Sequence, residues 1–234
     1  MADLPQARAR LAAGEQVTIV FLGDSNTALT FHTHGWLNVV GLVEAAIFQT
    51  YGDNRARVIN AGSCGGTVEA ALARLDRDVL RFQPDLVFVG FGMNDQGHGP
   101  ALLESRYLGP MRELVRRLRA AGAEVVLRTS NPVVCVNGPG ASAGEVPGRE
   151  FPGTHLAAYN RALVGLAAEL GCPVVDHYLL WLRQEYPPNL GVNNPNGIWQ
   201  RMSDKVHPNE IGHRAFYREL APLLGLPTVL PWEV

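Results

Sequence analysis

The chain has 234 residues, 47% of them hydrophobic and 18% charged, with 25 Gly and 16 Pro. That composition excludes disorder, collagen and a small disulfide scaffold, and the length, about one and a half times a common domain size, is read as a single domain over residues 1–234. Twenty basic against 22 acidic side chains leave a formal charge of −2, and no stripe of Lys and Arg exists to track phosphates, so nucleic acid is not an expected partner.

From the N-terminus, Met1 to Gln16 alternates charge with Ala and Leu and lacks the apolar core of a secretory leader, which argues for the cytoplasm. Strand-length apolar runs then alternate with stretches of helical period. The predicted strands are Val17 to Leu22, Arg57 to Asn60, Leu86 to Gly90, Glu124 to Leu127 and Pro173 to Val175, each rich in Val, Ile, Leu or Phe. The predicted helices are Trp36 to Tyr51, Thr67 to Arg81, Leu102 to Ala121, His155 to Leu170 and Asn209 to Leu224, several of them ending at Gly. This alternation is the signature of an α/β fold, a parallel sheet covered by helices on both faces. Two segments break the rhythm: Asn131 to Thr154 and Tyr186 to Ser203 are dense in Pro, Gly and Asn. Both are expected to be long loops that contact substrate, with plain surface insertion as the alternative. No apolar run approaches the ~18 residues of a membrane-spanning helix. Cys64, Cys135 and Cys172 are widely spaced and fit free thiols in a reducing compartment.

In open α/β sheets the ligand site lies beyond the carboxyl ends of the strands. The first strand is followed by Gly23-Asp24-Ser25-Asn26, where a tight turn would expose the Ser25 hydroxyl. The second leads into Asn60-Ala61-Gly62-Ser63-Cys64-Gly65-Gly66-Thr67, a bend whose backbone N–H groups can face an anion. The third leads into Gly92-Met93-Asn94-Asp95, which offers a side-chain amide. Near the C-terminus, Asp204-Lys205-Val206-His207 places a carboxylate and an imidazole three residues apart. Each alone reads equally as a turn or a helix cap. Together, a nucleophilic hydroxyl, an imidazole with its carboxylate and two independent hydrogen-bond donors are the parts needed for acyl transfer.

These four blocks, in this order, resemble the SGNH hydrolases, the GDSL esterase and lipase superfamily. The resemblance implies a flavodoxin-like, three-layer α/β/α sandwich with a five-stranded parallel sheet. It implies Ser25 as nucleophile and Asp204 and His207 as acid and base. The oxyanion hole would be formed by the Ser25 N–H, the Gly65 N–H (rather than that of Gly62 or Gly66) and the Asn94 amide. Asn26 departs from the Leu or Ile of many members. The implied function is hydrolysis of a small-molecule carboxylic ester, short-chain or acetyl, with a carbohydrate among the alcohols it could carry, without a cofactor. Acyl transfer, lysophospholipase and thioesterase activities belong to the same fold. A non-catalytic flavodoxin-like module, with Gly62 to Gly66 cradling a phosphate, is the reading from another class; no G-x-G-x-x-G or Walker motif supports it. Oligomeric state is left open.

Gly140-Ala141-Ser142-Ala143-Gly144 fits the G-x-S-x-G elbow, but no strand leads into Ser142 and it lies among Pro and Gly. His32-Thr33-His34 has the spacing of some metal sites yet lacks a third ligand nearby in sequence, and reads as loop histidines near the mouth. Asp95 is expected to orient the Asn94 loop and Asp176 to cap a helix. Trp36, Tyr178 and Trp199 are expected in the core or at the rim, with Trp199 able to stack on a sugar.

Overall fold

The structure, a computed structural model, describes residues 5–28, 30–136, 142–144, 154–185 and 198–230. Strand β1 (Val17–Gly23) carries the first long apolar run, and Ile19, Val20, Phe21 and Leu22 are all fully buried. A strand apolar on both faces must be covered on both. The other elements follow in chain order after α1 (Pro5–Ala12) and β1: α2 (Ser25–Ala28), α3 (Val39–Tyr51), β2 (Ala56–Gly62), α4 (Val68–Asp78) and β3 (Leu86–Gly90). Next come α5 (Gly109–Ala120), β4 (Glu124–Arg128), β5 (Val134–Val136), β6 (Ser142–Gly144), α6 (Leu156–Leu170), β7 (Val174–Val175), α7 (His177–Glu185) and α8 (Glu210–Leu220). Five strands form one sheet in the order β2-β1-β3-β4-β7, and every adjacent pair is parallel.

The two-residue period of the strands sorts their side chains into two cores. Ile19, Phe21, Leu86, Phe88 and Val126 face one side, where they pack with α1, α3, α7 and α8 through residues such as Leu11, Val43, Trp181 and Phe216. Val20, Leu22, Val87, Val89, Val125 and Leu127 face the other and meet α4, α5 and α6 through Leu75, Leu114 and Leu163. The result is the expected three-layer α/β/α sandwich. Because all five strands run the same way, their carboxyl ends lie along one edge, and the chain reverses its direction of travel across the sheet between β1 and β3.

Helix boundaries differ from the expected ones where caps or Pro intervene. The Asn38 side chain accepts from the N–H groups of Val40 and Gly41, so α3 starts at Val39 and not at Trp36. Pro110 has no N–H to give, and the chain ahead of it forms a π-turn over Glu104–Leu108; α5 proper therefore begins at Gly109. Three helices, α1, α2 and α7, lie outside the expected set. The segment read as a loop from Asn131 to Thr154 contains a short antiparallel pair, β5 with β6, in which Val134 faces Gly144. Ser142 opens β6 and is thus the first residue of a strand, not the turn between a strand and a helix that a nucleophile elbow requires. Residues 137–141, 145–153 and 186–197 lie outside the described residues, and so does any role for them as binding walls.

Candidate active site

Ser25 is placed by a one-residue connection between strand and helix. β1 ends at Gly23, Asp24 turns the chain, and α2 begins at Ser25, with the Asp24 carbonyl accepting from the N–H groups of Thr27 and Ala28. Gly23 is required there by contact: a Cβ would sit 2.3 Å from Thr27 Oγ1 and 2.9 Å from the Gly90 carbonyl of β3. The Asp24 carboxylate accepts from the Asn26 N–H at 3.0 Å, and its complete burial pushes its pKa up to about 6, against the lowering effect of that hydrogen bond. The end of α2 is fixed by two amides, since the Thr27 carbonyl accepts from Asn38 at 3.1 Å and from Asn60 at 2.9 Å.

His207 arrives from the far end of the chain. Its loop is pinched by a bridge between Met202 and Pro208 and by the Ser203 N–H donating to the His207 carbonyl at 2.8 Å. Within the pinch, Asp204 Oδ1 accepts from the N–H groups of Val206 and His207 at 2.8 and 2.7 Å, while Oδ2 lies 2.8 Å from His207 Nδ1. Partial burial alone would raise the Asp204 pKa; the two backbone N–H groups and the imidazole outweigh it and hold the carboxyl below its ordinary range. An ionised carboxylate only accepts, so Nδ1 of His207 carries the proton and Nε2 presents its lone pair. That Nε2 lies 3.0 Å from Ser25 Oγ, a contact spanning 182 positions of sequence.

The other predicted residues gather at the same edge. Asn94 follows β3 and donates from Nδ2 to the Gly66 carbonyl at 2.9 Å, tying the third block to the second. Asp95 is fully buried and holds the same junction, accepting from the N–H groups of Val68 and Gly92 at 2.9 and 3.0 Å, so it does orient the Asn94 loop. Gly65 is exposed and has φ +68°, a left-handed conformation suited to glycine. Asp176 caps α7: its carboxylate accepts from the Leu179 N–H at 3.1 Å and from the Thr129 hydroxyl at 3.0 Å. Tyr178 is buried and Trp36 exposed, as core and rim respectively; the Trp199 side chain lies outside the described residues. Cys64 and Cys172 are free thiols.

One site residue escaped the sequence, and another reads there only as a loop histidine near the mouth. Asn131, fully buried after β4, accepts from Asn26 Nδ2 at 2.9 Å and donates to the Val206 carbonyl at 3.1 Å. It thus joins the turn that carries Ser25 to the loop that carries His207. His32 is the other. Its ring stacks on that of His207 with centroids 4.1 Å apart and planes 7° from parallel. The expectation that His32 and His34 lack further ligands is corrected for His32: ligand atoms of His32, Asp204 and His207 lie within 4.8 Å of one another. Long-range folding supplies what the local sequence did not. With the two rings stacked 7° from parallel, however, their in-plane lone pairs lie in two parallel planes and cannot both point straight at one tetrahedral ion. His34 turns away to Glu210, 3.1 Å distant.

Residues 21–215 match the GDSL-like lipase/acylhydrolase family. The chain is 28% identical over 197 residues to an acetylxylan esterase of Geobacillus stearothermophilus, covering 78% of each protein. Among solved structures, the acetylxylan esterase Axe2 of the same organism superposes with a TM-score of 0.68 at 20% identity, over 92% of this chain and 97% of that one. LAE5, an alpha/beta hydrolase enzyme from the metagenome of Lake Arreo, Spain, gives 0.67 at 23% identity, over 89% and 95%. No helix among the described residues is long and apolar enough to cross a membrane. The matched span covers most of the chain and all four sequence blocks: this protein belongs to the GDSL-like lipase/acylhydrolase family of SGNH hydrolases and is an ester-bond hydrolase.

Proposed function

We propose that the protein is a serine esterase that removes a short acyl group, acetyl above all, from a carbohydrate ester through an acyl-enzyme on Ser25. The carrying observation is the hydrogen-bonded line from Ser25 Oγ to His207 Nε2 at 3.0 Å and from His207 Nδ1 to Asp204 Oδ2 at 2.8 Å. As Oγ bonds to the ester carbonyl carbon, its proton passes to Nε2; the imidazolium then protonates the departing alkoxide as the C–O bond breaks. Water repeats the sequence against the acyl-enzyme. His207 takes its proton, the hydroxide adds to the acyl carbon, and the proton returns to Ser25 Oγ as the carboxylic acid leaves.

The carbonyl oxygen becomes anionic in both halves and needs donors set in advance. Three are at hand. The Ser25 N–H stands in the first turn of α2, where a helix leaves N–H groups without internal acceptors. Of the three glycines in the second block, Gly62 donates its N–H to Asn60 Oδ1 at 2.9 Å and Gly66 donates to the Ser63 carbonyl at 3.0 Å, whereas the N–H of Gly65, an exposed residue, makes no hydrogen bond among the described residues. This favours Gly65 as the donor. Asn94 keeps its second amide hydrogen after spending the first on Gly66.

The carbohydrate part of the reading leans on the likeness to the acetylxylan esterase. The test pairs a fluorophosphonate label with hydrolysis assays on p-nitrophenyl esters of rising chain length and on acetylated xylo-oligosaccharides. Labelling at Ser25, loss of activity in Ser25→Ala and a preference for acetyl over longer chains are expected. Undiminished hydrolysis by Ser25→Ala would overturn the acyl-enzyme, and a preference for long acyl chains would overturn the substrate class.

A further inference from the structure

We propose that His32 is a positioning residue for proton transfer: a neutral imidazole stacked on His207 that keeps that ring in the line from Ser25 to Asp204 and faces the charge that forms on it. The inference rests on the assignment of His207 as the base. His207 is bonded at both nitrogens, to Ser25 and to Asp204, but two in-plane bonds leave the ring free to rock about the line joining them. His32 blocks that motion on one face, 4.1 Å from centroid to centroid and 7° from parallel.

His32 is itself held. Its Nδ1 is hydrogen-bonded to Ser203 Oγ at 3.1 Å and lies 3.8 Å from Asp204 Oδ2. Its ring also takes the Phe31 ring edge-on at 5.3 Å, so Phe31, His32 and His207 form a pile. The other faces of Phe31 stand open, the residue being 80% exposed. The groups of charge or titration around His32 are His207 and Asp204 in the facing loop, with Lys205 beside them, His34 on its own turn, and Glu210, His213 and Arg214 on α8. Burial, then the charge of His207 and of His34, lowers the His32 pKa below the ordinary imidazole value, and Asp204 opposes this only in part. At neutral pH the ring is therefore uncharged. A neutral aromatic face stabilises a cation laid against it, which is what His207 becomes in each half of the reaction. Once His32 is protonated as well, two cations face each other and the transition state is disfavoured.

The experiment compares His32→Ala, which removes the pile, with His32→Phe, which keeps a flat ring without a titrating proton; Ser25→Ala is assayed beside them. His32→Ala is expected to lower kcat by about threefold to thirtyfold with KM held within about twofold, and His32→Phe to restore most of the loss. On the acid side, log(kcat/KM) of the wild type is expected to steepen from one proton to two, while His32→Phe keeps the one-proton slope. If His32→Ala does not fold, the Phe variant carries the test through that slope. A wild-type kcat in folded His32→Ala, or a two-proton limb in His32→Phe, would sink the proposal. Activity surviving in Ser25→Ala would instead remove the acyl-enzyme reading beneath it, so the two failures are told apart.

Discussion

Asn94 commits one amide hydrogen to the Gly66 carbonyl at 2.9 Å, and on the proposed reading it would give the other to the substrate oxyanion, so that a single side chain would both build the pocket and serve it. Asn94→Ala should cost about 3–4 kcal/mol of transition-state stabilisation, read as a kcat lower by two to three orders of magnitude with little change in KM; steady-state kinetics checks this, and a kcat within a few-fold of wild type would remove Asn94 from the pocket. Gly23 is a second residue whose chemistry is a matter of space. A methyl group there meets Thr27 Oγ1 at 2.3 Å and the Gly90 backbone at 2.9 Å, so Gly23→Ala should lower stability by about 1–3 kcal/mol and activity further, because the atoms displaced adjoin Ser25. Thermal melting read alongside kcat separates the two losses. At this scale the sequence was informative wherever a candidate residue sits in a short block: Ser25, Asn94, Asp204 and His207 each stand inside about four contiguous residues, and the fold brings these blocks to one edge of the sheet. His32 and Asn131 stand in no such block. Their roles come from partners 175 and 75 positions away, at His207 and Val206, and no local pattern encodes a contact of that range.

The elements show the same division. β1, β3 and β4 were legible because each is a run of apolar residues buried on both faces, β2 through Val58 and Ile59 although most of it is half-buried or exposed, and α6 because its period is unbroken from Leu156 to Leu170. The four residues of α2 are too few to carry a period, whereas β7, only two residues long, falls within the strand expected over Pro173 to Val175. The turn that carries Ser25 is held to the loop that carries His207 by the pair Asn26 and Asn131, whose side chains meet at 2.9 Å in a buried contact, and by Asn131 donating to the Val206 carbonyl. Asn26 stands where many relatives are expected to have Leu or Ile, and here its amide finds a partner in place of apolar packing. Removing Asn131 leaves that amide and the Val206 carbonyl unsatisfied, each costing about 1–3 kcal/mol. Asn131→Leu should therefore destabilise more than Asn26→Leu, and the double variant should fall short of the summed losses by about 0.5–3 kcal/mol. Urea denaturation of the four proteins gives the cycle, and strict additivity would mean that the two amides do not depend on each other.

Across the whole molecule, the helical layer of α3, α7 and α8 buries a polar cluster that the apolar pattern of the sequence conceals. Arg128 at the end of β4 donates from Nε to His177 Nε2 at 3.1 Å, which leaves the His177 proton on Nδ1, directed at Glu219 of α8. Burial drives the groups here apart in pKa: Glu219 is pushed up to about 8, and His177 well below the ordinary imidazole value. Close by, His213 is buried and accepts the Val39 N–H at 3.1 Å, and burial, then the charge of Arg128, takes its pKa down to about 3. Its ring is neutral in the fold and protonates near the ordinary value of 6.5 once unfolded. Between pH 6.5 and 3 the unfolded chain thus binds the extra proton, and the stability that His213 contributes is full above pH 6.5 and is lost as the pH falls through that window. Asp24, raised to about 6, acts in the opposite sense, so the pH profile of the wild type alone does not isolate His213. A difference does. His213→Asn keeps an acceptor for Val39 and removes the proton, while Asp24 and Glu219 are common to both proteins. The stability advantage of wild type over the variant should shrink by roughly 2–3 kcal/mol between pH 7 and pH 4.5. Urea midpoints at the two pH values measure it, and a constant difference would mean that the imidazole takes up its proton as readily inside the fold as outside.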